Sequence, residues 1–412
     1  MKISRKIFSA PAAYKGRTPR RTGASISGAT ERIFRTLRRA WPILVFFGIS
    51  PVSLSAETIT PFTLPSARHA ALGGNHAALA DDFDSLFNNP AAFAAVEDEF
   101  SAAELSLGAY GPVFEILDLI LGHADSLENV DLSGIIGDRG FAAGLDLGGP
   151  VSAGWVGRGL GFGLFNRFGA SAAATGSNLT AVVSGDMLVL GGYSFRVINR
   201  ERHVLDTGFL GKGFLRMGID LKSAIFNVET LLDDPDRLPF TTALGVGFDL
   251  GLKYTFAEKL SAALVCFDVY SPAMITTYSS FDDFRNSENP REPGHYGVVK
   301  PRLNLGLQYR IRSYFLEKYI SRVIFLADYR DFTDLFSLVP RNPVLNFGFG
   351  LEAVILEKLS LRIGIADALP SAGFGLDLQF VKFDCAIHGR ELGLDPGIQS
   401  TYALAFSLLF RY

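Results

Sequence analysis

The sequence predicts an all-β fold: a transmembrane barrel of about fourteen antiparallel strands around an N-terminal lumenal plug. Three observations carry this expectation. The chain ends on an alternating aromatic strand, the same alternation recurs throughout, and the chain starts in the manner of an export signal.

Residues 1–40 hold eleven Lys or Arg and one acid, Glu31. An apolar run, Trp41-Pro42-Ile43-Leu44-Val45-Phe46-Phe47, follows, then Gly48, Pro51 and the small residues Ser53, Ser55 and Ala56. That order reads as a secretory signal peptide over 1–56 with a long basic n-region, and its apolar run is too short to span as a helix. The basic prelude suits a start codon placed downstream of Met1. Arg38-Arg39 has the form of a twin-arginine signal, but its following residues fit poorly. Cleavage near Ala56 leaves 28 basic and 41 acidic residues, a net charge of −13. Such a chain offers no surface for nucleic acid. The full chain is 48% hydrophobic, yet no run of eighteen apolar residues follows residue 56. High apolar content without helical spans suits a barrel, whose lipid-facing and lumen-facing residues alternate.

Residues 57–98 do not alternate. Small residues dominate from Ala67 to Ala92, with Gly73-Gly74, the acids Asp81-Asp82 and the turn signal Asn89-Pro90. Ahead of a barrel, such a segment folds most simply into the lumen as a plug. Residues 99–412 are the barrel. Leu244, Val246, Phe248, Leu250, Leu252 and Tyr254 oppose Gly245, Gly247, Asp249, Gly251 and Lys253. Leu303, Leu305, Leu307, Tyr309 and Ile311 oppose Arg302, Asn304, Gly306, Gln308 and Arg310. Strands are expected at 99–110, 140–149, 158–171, 179–197, 204–222, 241–256, 259–270, 300–312, 321–331, 344–356, 358–367, 372–379, 381–388 and 400–412. A soluble sandwich has the same period with its apolar face inward, so alternation alone does not separate the two.

Tight turns are expected at Ala257-Glu258, Glu357-Lys358 and Gln379-Phe380, and long polar connections at 111–139, 223–240, 271–299, 332–343 and 389–399. Short turns on one side and long loops on the other are the habit of outer-membrane barrels. The connection at 149–158 fits that scheme least well. Phe114 to Leu121 suggests a short helix over the mouth. In the last strand, Tyr402, Leu404, Phe406, Leu408, Phe410 and Tyr412 form one apolar face. About ten alternating residues cross a bilayer, and only a closed barrel pairs their backbone there. This ending resembles the C-terminal signal by which bacterial outer-membrane barrels are inserted. The barrel assembly machinery and outer-membrane lipid are therefore expected partners.

Gly73-Gly74, then Ala80-Asp81-Asp82, then Asn89-Pro90-Ala91 resemble the plug of the long-chain fatty acid outer-membrane transporters (the FadL type). Asn89-Pro90-Ala91 matches that family's NPA motif, and Asp81-Asp82 its acidic pair. Gly373-Phe374-Gly375-Leu376-Asp377, followed by Val381-Lys382-Phe383-Asp384, resembles its penultimate hairpin, and the chain is also similar to a treponemal branch of the family. The resemblance implies an uptake channel for long-chain fatty acids or similar hydrophobic molecules, gated by the plug at Asp81, Asp82, Asn89, Pro90 and Ala91. Type IX secretion barrels share a similar plug. A general porin and a barrel serving secretion or adhesion therefore remain open.

Other constellations carry less. Gly157, Gly159, Gly161 and Gly163 lack the G-x-G-x-x-G spacing of a dinucleotide site. They read as small residues on one strand face; by the resemblance they mark a kink for sideways release. Asp233, Asp234 and Asp236 are calcium-type oxygen donors without a full loop spacing. The six histidines are scattered, and Cys266 and Cys385 have no metal or disulfide spacing. No nucleophile motif is visible, so neither an enzyme, a metal nor a cofactor is expected. Arg302, Arg310, Arg312, Arg322, Arg330 and Arg362 fall on or near polar strand faces and are expected to pair with acids of plug and lumen.

Overall fold

The computed structural model describes residues 57–79, 81–96, 98–111, 141–175, 178–224, 238–286, 290, 292–311 and 320–411. The expected signal peptide, the helix within 114–121, the acids at 233–236, Arg312 and Tyr412 lie outside them. Among the described residues, no helix is long and apolar enough to cross a membrane.

The alternating segments form strands β1 (Glu57–Ile59), β2 (Glu99–Tyr110), β3 (Phe141–Gly148), β4 (Ala153–Gly157), β5 (Leu160–Thr175) and β6 (Asn178–Arg200). They continue as β7 (His203–Ala224), β8 (Phe240–Phe256), β9 (Leu260–Tyr270), β10 (Pro272–Tyr278), β11 (Glu292–Val299) and β12 (Arg302–Ile311). The last are β13 (Ile320–Tyr329), β14 (Phe347–Ile355), β15 (Leu359–Ala366), β16 (Leu369–Asp377), β17 (Val381–Glu391) and β18 (Ser400–Arg411). All belong to one sheet. It closes where β18 pairs antiparallel with β2, Leu404 opposite Ala109 and Leu408 opposite Leu105. Three crossings are each built from two strands: β3 with β4, β9 with β10, and β11 with β12. Counted as crossings, the wall is a closed antiparallel barrel of fourteen.

Side-chain direction decides between barrel and sandwich. On β8, Leu244 and Val246 are 65% and 56% exposed, while Asp249 and Lys253 are buried. On β15, Ile363 is 58% exposed and Arg362 is buried. The apolar face looks outward and the charged face inward, the arrangement of a barrel in lipid.

The strands run longer than expected at two places. The connection assigned to 271–299 instead carries β10 and β11. Met274 and Tyr296 face outward there and Ala273 and Ile275 inward, so the alternation continues above a break. The break has a local cause: Asp268 has φ +53°, and Pro301 between β11 and β12 has no N–H for the ladder. Likewise the 149–158 connection contains β4, which continues the crossing begun by β3 and removes the misfit in loop lengths. On the short-turn side, Arg158, Ala257, Glu258, Glu357 and Gln379 all have positive φ, as tight hairpins require. Strand length is uneven: β6 and β7 have 23 and 22 residues, β15 has 8. β1 pairs in parallel with β11, Ile59 opposite Val299.

Candidate functional site

Residues 60–96 enter the lumen. Helix α1 (Ala67–Ala71) starts at Ser66, whose Oγ accepts from the His69 N–H. It ends at Gly73 and Gly74, with φ of +83° and +108°, values only glycine adopts freely. Helix α2 (Ser85–Asn88) leads into a 3₁₀ turn, Pro90–Ala94. Asn89 caps that turn: its Oδ1 accepts from Ala91 N at 2.9 Å. Its Nδ2 donates to the Ala77 carbonyl at 2.9 Å, and at 3.4 Å to the carbonyl of Leu252 on β8. Asn89, Pro90 and Ala91 are therefore wedged between plug and wall. Glycines on the wall make room. A Cβ on Gly251 would lie 2.1 Å from Asn89 Oδ1, and one on Gly208 2.4 Å from the Pro90 oxygen.

The expected acids, Asp81 and Asp82, sit in a buried ion-pair network. Arg68 of α1 bonds Asp81 at 2.9 and 3.0 Å, Glu352 at 3.0 Å and also Asp82. Arg322 joins Asp81 to Glu352, Arg362 joins Glu352 to Asp384, and Lys382 lies 2.8 Å from Asp82. Four cations thus face four carboxylates, and two strand arginines singled out in the sequence, Arg322 and Arg362, are among them. Burial favours the neutral acids, but Arg68 and Lys382 hold Asp82 well below the usual carboxylate range. Arg68 and Arg322 likewise outweigh burial at Asp81. A second anchor is Asp328, which accepts from Ala77 N at 2.7 Å and bonds His76 Nδ1. His69 stays neutral: Asn88 Nδ2 lies 2.9 Å from its Nε2, and burial with the Arg68 charge pushes the ring down to about 3.

Beside the plug the lumen keeps a cavity of about 1040 Å³. One wall is apolar, with Phe87 and Leu86 from the plug facing Leu188, Leu190, Leu210 and Phe214. Charge pairs frame it. On neighbouring strands Asp186 stands opposite Arg216 and Leu188 opposite Phe214. Arg216 clamps Asp186 at 2.6 and 2.9 Å, and Lys212 pairs with Asp249 and Asp268 at 2.7 and 2.6 Å. The cavity is therefore amphipathic, which differs from the largely apolar pocket usual for small-molecule sites.

The four alternate glycines are not on one strand. Gly157 ends β4, Arg158 and Gly159 form the turn, and Gly161 and Gly163 lie on β5. Gly161 faces Leu86 and Phe93 of the plug. The alternation spans a hairpin, so the four do not share one strand face; residues 149–152 separate β3 from β4. Cys266 and Cys385 are free residues on β9 and β17. Sequence reading passed over Arg68, Asp328 and Glu352. Arg68 carried the one available signal, a lone arginine in an Ala-rich helix.

No protein-family model matches the chain, and no curated protein matches it. Among solved structures, it is similar to the Ralstonia pickettii toluene transporter TbuX at 14% identity and a TM-score of 0.45, over 87% of this chain and 98% of that one. It is also similar to a Pseudomonas aeruginosa FadL homologue, at 12% identity and a TM-score of 0.44 over 87% and 99%. CymD, a monoaromatic hydrocarbon channel, shows 12% identity and a TM-score of 0.43 over 84% and 97%. At such scores the likeness carries no argument; the fold rests on the chain's own strand pairing.

Proposed function

We propose that this chain is an outer-membrane uptake channel for long-chain fatty acids or similar hydrophobic molecules, gated by its plug. The observation that supports it best is the apolar cavity wall of Leu188, Leu210 and Phe214, next to a plug that carries a buried ion-pair network beside its apolar contacts with the wall. An apolar chain laid on that wall leaves water, and about 25 cal/mol per Å² of buried apolar surface favours it. Its polar end meets the framing charges. The plug closes the floor. Its ion pairs form a latch that can exchange partners with water, beside the apolar contacts of Leu72, Leu79 and Phe93.

A general porin is the second reading, favoured by the charged upper lumen. The two differ in what passes. Reconstituted barrels are expected to bind labelled long-chain fatty acid saturably, to pass small sugars poorly, and to come from outer-membrane fractions as heat-modifiable protein. Free sugar and ion flux with no saturable lipid binding would remove the uptake reading and leave the porin. A heat-insensitive soluble protein would remove both.

A further inference from the structure

The floor of the cavity holds an acidic recess that the ion-pair network leaves unused. Asp84 of the plug and Glu104 of β2 both line the cavity, beside Ser66, Leu64, Leu86 and Phe87. Glu104 is 6% exposed, and its Oε2 has no hydrogen-bond partner. Asn88, which contacts His69 behind Asp84, is 2% exposed with its Oδ1 equally without a partner. Asp84 receives a 3.2 Å hydrogen bond from Ser66 Oγ and stands 3.6 Å from the neutral His69 ring. Lys382 and Arg68, the cations whose charges reach Asp84, are both bonded to Asp82. Two carboxyl groups, one from the plug and one from the wall, therefore line the same buried recess. An oxygen buried without a donor costs a fraction of its hydration, so the recess lacks donors, not acceptors.

The geometry points to a ligand: we propose that Asp84 and Glu104 bind the ammonium head of a long-chain amine whose tail lies on Leu64, Leu86 and Phe87. An ammonium has three N–H donors and no acceptor, the complement of two carboxylates and a serine oxygen. The Phe87 ring adds an electron-rich face. A carboxylate head brings only acceptors and a like charge to the same place. A hard metal ion needs six or more oxygens, and this recess presents fewer. The inference rests on the uptake of hydrophobic molecules in the reading above and names a head group, other than a carboxylate, that the cavity floor selects.

The test uses the full barrel in lipid nanodiscs, with dodecylamine, dodecanoic acid and dodecanol as probes at pH 9 and binding read by titration calorimetry. Dodecylamine is expected to bind saturably, one per barrel, and about tenfold tighter than dodecanoic acid, the worth of one charge-assisted hydrogen bond. Glu104→Gln is expected to lower the amine-to-alcohol affinity ratio by about tenfold, and Asp84→Asn to do the same from the plug side. Heat-modifiability checks that each variant is assembled. The proposal is overturned if the acid binds as tightly as the amine, or if both variants keep the wild-type ratio. If alcohol and acid bind while the amine has no advantage, the head-group inference alone fails. If none of the three binds saturably, the uptake reading fails with it.

Discussion

Replacing Arg68 by Met tests whether the ion-pair network is a latch for the plug and not a support for the wall. Arg68 is buried and bonds three carboxylates, Asp81, Asp82 and Glu352. Removing one partner of a buried ion pair typically costs about 3–5 kcal/mol, because a charge is left without compensation. Here each carboxylate keeps another cation: Asp81 keeps Arg322, Asp82 keeps Lys382, and Glu352 keeps Arg322 and Arg362. The lower end, about 3 kcal/mol, is therefore expected. All of it falls on the docked plug, since Arg68 lies on α1 and the barrel ladder is untouched. That cost corresponds to about two orders of magnitude in the docked-to-undocked ratio. Hydrogen exchange resolved by segment is the assay. Amides of Ala67–Ala71 and of residues 91–94 are expected to lose about a hundredfold protection while β13 to β17 keep theirs. Unchanged plug protection, or equal loss in plug and strands, would refute the latch.

Further predictions follow from the same contacts. Gly251→Val forces a side chain onto Asn89 and is expected to raise plug exchange in an assembled barrel; Gly185→Ala, which meets nothing within 4 Å, is the silent control. Asn89→Ala with Pro90→Ala is expected to lower uptake per assembled barrel while heat-modifiability stays normal; an unchanged uptake would remove gating from this turn. Burial, then the Asp82 charge, push the Asp84 carboxyl up to about 6. The docked plug then binds more protons there than the free segment, so Asp84 weakens docking as pH rises from about 4 to 6. Asp84→Asn is expected to remove that slope in pH-dependent proteolysis of the plug. Deleting residues 410–412 is expected to block assembly, read as loss of the heat-modifiable band, because Phe410 pairs with both Val381 and Ala103 at the closing seam.

Much of the wall was legible because a strand in lipid has one rule, apolar outward at every second residue, and β8, β15 and β18 obey it without interruption. β10 and β11 were not, since Pro272 opens one and polar residues surround both. Their inclusion depends on β10 pairing with β8 across the sheet and β11 pairing with β10. The plug was legible as a lapse of alternation, and Asn89-Pro90 as a turn. What the turn touches was not: Asn89 and Leu252 lie 163 residues apart, and Arg68 and Glu352 lie 284 apart. The glycines erred for the opposite reason, because a regular spacing in sequence carries no mark of a hairpin between its members.

The unequal strands have a consequence for the surroundings of the molecule. At about 3.3 Å per residue and a tilt near 40°, a strand of 23 residues such as β6 climbs roughly 55–60 Å, and one of 8 such as β15 roughly 20 Å. An apolar band of about 25 Å absorbs nearly all of the shorter strand and less than half of the longer. The rim is therefore a parapet, high along β6 to β8 and low along β14 to β16. On the low flank the segments 330–346 and 392–399, joined where Asn342 N donates to the Leu394 carbonyl, stand in place of strand. The two flanks of the mouth are thus built differently, one from sheet and one from loop.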